Sequence, residues 1–473
     1  MKRKTKIVAT LGPASQNPEN IESLIKAGVN VFRLNFSHGT ADDHLRNVNN
    51  IRSVAKNLDV IVGILQDLQG PKIRVGEFTD GSITLTANQP FALYPDKNKI
   101  GNQAGIGISY AQLHQDVSAG DSLLIDDGKL LLEVKNIEQG VIHTIVIRGG
   151  ILSNKKGINV PGADLSIAAV TNKDIEDIAT GAELDVDWVA LSFVRSRDDL
   201  LLARKHLKLN HSNAKLMAKI EKPGAIRNYR EILNEADGIM VARGDLGVEL
   251  SAENVPMLQK RLIRKARRKG KPVITATQML ESMTEQAIPT RAEANDVANA
   301  IFDGTDAVML SAETATGQHP IKAVETMDRI AKTVEADADY RKRMIERKFK
   351  AEKNTPDAVS SAACHIARIL AAQVMCCFSS SGATALRVAR NRIHTDVIAI
   401  SPSIKSCNQL TVSWGINPVL NNDASSSDEM VDIAQQVIKT NEMAKHGDQF
   451  VVTAGVPFGH SGTTNLIRVE TLD

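Results

Sequence analysis

The chain has 473 residues, room for about three domains at ~150 residues each, and its 42% hydrophobic and 24% charged content allows a sizeable core. A formal net charge of +2 gives no ground for nucleic acid or a membrane surface as partner, and 3% aromatic residues weaken the case for base-stacking platforms. No apolar run approaches membrane-spanning length, and the run in the basic start MKRKTKIVATLGP is too short for a signal peptide. Cys364, Cys376, Cys377 and Cys407 follow neither zinc nor disulfide spacing, so reduced, buried thiols of a cytoplasmic chain are expected.

Residues 4–70 repeat one unit. TKIVATLG reads as a strand, and NPENIESLIKAG as an amphipathic helix with Asn17 as cap, Pro18 at its first position and Gly28 as terminator. VNVFRLNF, ADDHLRNVNNIRSVAKNL and VIVGILQDLQGP follow as strand, helix and strand, the alternation that builds a parallel sheet. Polar groups collect at the strand ends: Arg33, Asn35, Ser37 and His38 on the second strand, Asp67 on the third.

Between 71 and 161 helical periodicity disappears. Short β-type runs such as SITLT, PFALY and VIHTIVI are separated by Gly, Asn and Asp turns, with proline at both ends. An all-β insert of roughly ninety residues leaving a strand end is expected to be a lid that excludes water and completes a site. The bland alternative is a structural outgrowth or an oligomer contact.

From Thr171 the alternation resumes with five strands, DWVALSF, KLMAKIE, GIMVARGD, KPVITATQ and AVMLSAE. Added to the first three, over about 250 residues, these have the arithmetic of a closed (β/α)8 TIM barrel. The helix after the seventh strand carries a capping box, Thr290 and Glu293, which is structural. QKRLIRKARRKGK reads as a solvated basic helix with its cations at the C-terminal end. Residues 335–354 read as a helix tail and linker. From Thr355 a separate α/β domain begins, with strands in QVMCCFS, DVIAIS, QFVVTAG and NLIRVET.

The chemistry concentrates in 215–250, KLMAKIEKPGAIRNYREILNEADGIMVARGDLGVEL. It reads strand, helix, strand, and the two parallel strands end in Lys219 with Glu221 and in Arg243 with Asp245. Carboxyl ends of parallel strands are where α/β proteins place chemistry. Two carboxylates there suit a hard cation such as magnesium, and a lysine beside them suits an anionic ligand. Gly244 and Gly247 are expected to give flexible backbone where a ligand approaches closely. The bland alternative is a salt bridge between Lys219 and Glu221 and a loop capped by Arg243 and Asp245.

RLNFSHG (33–39), QGPKIR (69–74), NKKGINVPG (154–162), KIEKPGA (219–225), MVARGDLGVE (240–249), ITATQMLESM (274–283), PTRAE (289–293) and GTDAVMLSAETA (304–315) together resemble the pyruvate kinases, bacterial forms in particular, over essentially the whole chain. The resemblance implies a barrel catalytic domain (1–70 and 162–340), a lid domain (71–161) and a C-terminal α/β regulatory domain (341–473). It implies transfer of the phosphoryl group of phosphoenolpyruvate to ADP, giving pyruvate and ATP at the end of glycolysis. Glu221 and Asp245 match the Mg2+ (or Mn2+) ligands, and Lys219 matches the lysine that stabilises the phosphoryl group in flight. Arg33, Gly244, Asp245 and Thr277 match substrate contacts, with Thr277 helping to deliver a proton to the enolate. Asn35, Ser37, His38, Arg74 and Lys156 match nucleotide contacts, the last two at the hinges of the lid.

Asn35, Ser37, Asp67 and the Leu68 carbonyl match a potassium cage. Potassium-dependent members carry a glutamate where this chain has Lys72, so potassium is expected to be dispensable. At ~4 Å two cations repel by roughly 4 kcal/mol at an effective dielectric of 20. The turn SSSGAT, with Ser379, Ser380, Ser381, Gly382 and Thr384, resembles the family's phosphate loop for a sugar-phosphate or nucleotide effector, with GHSGTTN (459–465) flanking it. A homotetramer is also implied. The alternatives are a magnesium-dependent barrel lyase acting on a pyruvate enolate, and a catalytically silent metabolite sensor.

Overall fold

The computed structural model describes residues 3–163, 165–346, 349–457 and 462–473. Eight apolar segments bury both faces and become parallel strands: β1 (Lys6–Thr10), β2 (Val31–Asn35), β3 (Gly63–Asp67), β4 (Trp188–Leu191), β5 (Lys215–Ile220), β6 (Gly238–Ala242), β7 (Val273–Ala276) and β8 (Ala307–Leu310). They close into the expected barrel, β8 pairing back onto β1 through Lys6 opposite Ala307. Register places Asn35 and Ala190 each opposite Asp67, which puts Asp67 at the junction of β2, β3 and β4.

Helices cover the outside, and their ends follow their caps. Asn17 accepts from Asn20 N–H to open Pro18–Ala27, and Gly28 ends that helix at φ 118, a conformation glycine adopts without penalty. The Thr290 and Glu293 capping box is closed in both directions on Arg291–Asp303. The basic helix Val255–Arg268 is not solvated all round as its sequence suggests. Arg267 is 2% exposed and donates to the Arg390 carbonyl at 3.2 Å, docking the C-terminal domain. Tyr340 and Met344, on the helix Ala338–Glu346, are buried in the same core as the barrel's outer helices.

The insert after β3 is a seven-stranded sheet and a two-stranded one, with a single helical turn at Leu113–Asp116, around its own apolar core. It joins the barrel through paired strands, Arg74 opposite Gly157 and Ile73 opposite Ile158. The C-terminal domain is a five-stranded sheet whose last strand, Thr464–Thr471, is antiparallel. It contains two elements the sequence did not suggest, the helix Ile404–Leu410 and the edge strand Ile416–Leu420. Between them Val412 joins the apolar cluster that fills the interior of the barrel, whose members include Met240, Ile274 and Ala276. The four cysteines are buried and unpaired, and burial pushes the Cys407 thiol up to about 11. Among the described residues no helix is long and apolar enough to cross a membrane.

Candidate active site

The polar strand ends meet at the carboxyl face of the barrel. β2 delivers Arg33, β3 ends on Asp67, and β5 delivers Lys219 with Glu221 directly after it. Asp67 Oδ2 accepts from Arg33 Nε at 2.6 Å, and its Oδ1 accepts from Lys219 Nζ at 3.0 Å. Lys219 Nζ also donates to Ser192 Oγ at 2.7 Å and lies 3.1 Å from Glu221 Oε1. Ser192 in turn donates to the Leu68 carbonyl at 2.6 Å, and the Phe193 N–H holds Glu221 Oε2 at 2.7 Å. The side chains of Asp67 and Glu221 are 2% and 1% exposed, so the cluster sits in low dielectric.

Burial pushes the Asp67 carboxyl up, but Lys219 and Arg33 outweigh it and hold it below its ordinary value. Burial likewise works against the Lys219 ammonium, and Asp67 and Glu221 reverse the effect and raise it, so the ammonium stays charged. Glu221 is raised, chiefly by burial; Lys219 opposes this and the Asp245 carboxylate adds to it. A buried carboxylate with a second one acting on it favours a further positive charge.

Beyond β6 the sequence RGDLGVEL does not form flexible backbone. It is the helix Arg243–Leu250, because every residue there tolerates helical geometry and Gly244 packs against Thr277. A Cβ at Gly244 would meet Thr277 Oγ1 at 3.4 Å. Its N–H donates to that Oγ1 at 2.8 Å, and the hydroxyl donates to the Ala276 carbonyl at 2.6 Å. Thr277 has φ 68, a strained value for a β-branched residue. Lys72 lies 3.6 Å from Asp245 Oδ1; among the described residues its ion pair is with this carboxylate and not with Asp67. A cleft of about 1430 Å³ opens between lid and barrel, lined by Leu124 and Arg148 of the lid and by Lys72, Asp245 and Thr277.

The other expected contacts are more scattered. Asn35 Oδ1 accepts from Ser37 N–H at 3.2 Å, and the His38 N–H closes the same turn onto the Asn35 carbonyl at 3.2 Å, leaving the His38 side chain exposed. Arg74 donates to the Lys155 carbonyl at 3.0 Å and Lys156 pairs with Asp126 at 2.9 Å, so both hinge cations are engaged within the lid. The 379–384 turn joins the strand Val374–Phe378 to the helix Ala383–Ala389. Gly382 has φ 79 and no room beside Leu410, and the Ser380 carbonyl accepts from Ser406 Oγ at 2.6 Å. Ser379 N–H is held by the Ile400 carbonyl at 3.0 Å, Ser381 is exposed, and the Thr384 hydroxyl is buried against Thr464 at 2.7 Å. Of the flanking segment, 459–461 lie outside the described residues.

The sequence does not single out Ser192 or the Phe193 amide, and it pairs Arg243 with Asp245, whereas the structure turns the guanidinium to Asp296 and the carbonyls after β7. Ser192, next to last in DWVALSF, is a polar group at a strand end like Asp67 and Lys219. The Phe193 amide had no such signal, since its aim depends on a left-handed backbone with φ 55.

Comparison with known proteins bears on the whole chain. The family profile described as pyruvate kinase, barrel domain, matches residues 2–324, and that described as pyruvate kinase, alpha/beta domain, matches residues 357–470. A pyruvate kinase of Sporosarcina psychrophila is 45% identical over 473 residues, covering 99% of this chain and 80% of the relative. One of Staphylococcus aureus (strain USA300) is 44% identical over 470 residues with the same coverage, 99% and 80%. The crystal structure of a pyruvate kinase from Cryptosporidium parvum superposes with a TM-score of 0.93 at 34% identity, covering 100% of this chain and 96% of that one. With both family domains matched in order on a closed barrel bearing this charged cluster, the chain belongs to the pyruvate kinase family of phosphotransferases.

Proposed function

We propose that the barrel mouth transfers the phosphoryl group of phosphoenolpyruvate to ADP, giving pyruvate and ATP. The observation that carries the reading is the Lys219 ammonium, fixed between Asp67, Glu221 and Ser192 at the carboxyl ends of adjacent strands. The bond from phosphorus to the enol oxygen breaks, and a β-phosphate oxygen of ADP takes the phosphoryl group. The enolate left behind collects a proton on its methylene carbon. Lys219 supplies fixed positive charge where negative charge passes, without needing a proton transfer of its own. Arg33, held by Asp67, aims a second cation at the substrate. Gly244 and Asp245 open a helix whose N-terminal end favours a carboxylate, and Thr277 stands beside them.

Glu221 and Asp245 suit Mg2+ or Mn2+: they are oxygen donors, and burial together with the Asp245 carboxylate raises the Glu221 carboxyl despite the Lys219 ammonium beside it. Among the described residues no group of three or more His, Cys, Asp or Glu could hold a metal, so an ion on Glu221 and Asp245 would have to complete its shell with substrate oxygens and water. Bound there, the ion would neutralise phosphoryl and enolate oxygens. Lid closure would bring Arg74 and Lys156, with Asn35, Ser37 and His38, onto the nucleotide.

Potassium independence is part of the proposal. Both Asp67 oxygens already accept from Arg33 and Lys219, the Leu68 carbonyl accepts from Ser192, and Lys72 adds a cation beside Asp245. Turnover in Tris or choline buffer free of sodium and potassium checks it; a rate that collapses there and returns with potassium refutes it. The family resemblance further supports a homotetramer, a cytoplasmic location and a sugar-phosphate or nucleotide effector at 379–384, which a rate titration with phosphorylated sugars and AMP would reveal. The main reading is tested by ADP-dependent consumption of phosphoenolpyruvate with Mg2+. Carbon–carbon cleavage with no phosphoryl transfer would favour the lyase alternative instead.

A further inference from the structure

We infer that Arg243 is a positioning residue for Thr277, holding the turn after β7 in the strained shape that fixes the threonine hydroxyl. The turn has two successive residues in the left-handed region, Thr277 at φ 68 and Gln278 at φ 54. A β-branched side chain there persists only when its surroundings over-determine it. Arg243 does so with one planar fork. Its Nη2 donates to the Thr277 carbonyl at 2.6 Å and the Gln278 carbonyl at 3.1 Å, and its Nε lies 3.3 Å from the Thr277 carbonyl and 3.4 Å from that of Ala276. Its Nη1 is anchored on Asp296 Oδ1 at 2.7 Å, on the capped helix Arg291–Asp303.

An exposed ion pair alone would explain little of this, since Asp296 is 38% exposed and such pairs contribute weakly. The guanidinium instead spans three consecutive carbonyls, which a lysine cannot match. It is also the residue immediately before Gly244, whose N–H holds Thr277 Oγ1 at 2.8 Å. One residue thus joins the helix that presents Asp245 to the strand end that presents Thr277. Without the fork, the turn relaxes to ordinary negative φ and swings the hydroxyl away from the enolate.

This rests on the reading that Thr277 serves enolate protonation, and the test separates the two. Exchange of pyruvate methyl protons with D2O, followed by NMR with Mg2+ and inorganic phosphate, reports enolate protonation apart from phosphoryl transfer. Arg243→Lys keeps the charge and loses the fork. It should slow exchange by about 10- to 100-fold, the order expected when a reacting group is displaced by about 1 Å. In a Thr277→Ala background the same change should alter the remaining rate by less than about twofold, because coupled residues are non-additive. Asp296→Asn, which loosens the anchor only, should act in the same direction by a few-fold and replaces Arg243→Lys in the cycle if that variant does not fold. Additive effects, or a Thr277→Ala enzyme with full exchange, overturn the assignment. A wild-type chain that consumes no phosphoenolpyruvate removes the proposed function with it, whereas an active wild type with an additive cycle removes this inference alone.

Discussion

Replacing Lys6 by Met should stabilise the protein, and the gain should vanish as pH rises. Lys6 opens β1 at the barrel floor, where the C-terminal domain docks, and is 5% exposed. Its Nζ donates to the Ile416 carbonyl at 2.7 Å, and among the described residues it makes no ion pair. The nearby carboxylates are engaged elsewhere: Glu335 holds the Lys4 and Thr5 amides at 2.7 and 2.6 Å, and Asp396 faces Lys4 at 3.6 Å. Burial, reinforced by Arg3 and Lys4, lowers the Lys6 amine from 10.5 to about 7. The unfolded chain therefore holds a proton that the folded chain has lost between about pH 7 and 10.5, so this group makes stability rise with pH across that window. Below pH 7 the cost of the buried ammonium is fully present. A gap of about 3.5 pH units at 1.36 kcal/mol each sets it near 5 kcal/mol. At ~2.1 cal/mol/K per residue, the unfolding entropy of the whole chain converts this to roughly 5 °C in Tm. Scanning calorimetry of the two proteins should show Lys6→Met higher by up to that amount at pH 6 and by about 1 °C at pH 10. The lost bond to Ile416 adds only a pH-independent offset of about 1 kcal/mol. A difference that does not change between pH 6 and pH 10 would show that the amine titrates normally and refute the reasoning.

Lys219→Met should lower kcat by about 10²-fold or more, since one fixed donor to the moving phosphoryl group is removed; near-normal turnover in the coupled assay contradicts its role. Val412→Ala should destabilise the protein by about 2 kcal/mol, two methyl groups plus the cavity left in the barrel floor; an unchanged melting curve would mean that Val412 is not packed there. Thr290→Ala should lower stability by about 1 kcal/mol through loss of the cap on Arg291–Asp303 while leaving kcat within about twofold, which thermal unfolding and the same assay measure together.

Much of the barrel was legible because its signal is local. Apolar runs of strand length alternate with capped helices, and Asn17, Pro18, Gly28, Thr290 and Glu293 all stand where their chemistry is needed. The charged strand ends were legible for the same reason: an ionic residue closing an apolar strand, as in KLMAKIE or GILQD, marks the open end of a barrel. Which charge meets which was not. Lys72 stands three residues past Gln69 in a loop, and nothing local distinguishes a reach toward Asp67 from the observed approach to Asp245. The ARGDLG segment misled in a simpler way. Glycine permits unusual backbone but does not require it, and here both glycines lie in a helix, Gly244 facing Thr277.

The contacts between domains were the least legible, because hydrophobic periodicity reports that a residue is buried and not what buries it. Within TVSWG, Val412 completes the barrel's interior and the Trp414 backbone N–H holds Asp306 at 3.0 Å. Arg392, 2% exposed, is held by Asp306 at 3.0 Å and the Gly304 carbonyl at 2.8 Å, with its guanidinium 4.7 Å from the Trp414 ring. Each of these partners lies far away in sequence, so no window along the chain contains both halves of the contact. The same geometry packs the C-terminal domain into the barrel's own core. The Ser380 carbonyl and Gly382 rest on Ile404–Leu410 through Ser406 and Leu410, and the next residues carry Val412 into the apolar cluster that fills the barrel. Ala276, whose carbonyl accepts the Thr277 hydroxyl, belongs to the same cluster. A shift of that helix by a fraction of an ångström finds no void in a close-packed floor, so the side chains around Val412 must move with it or bear the strain.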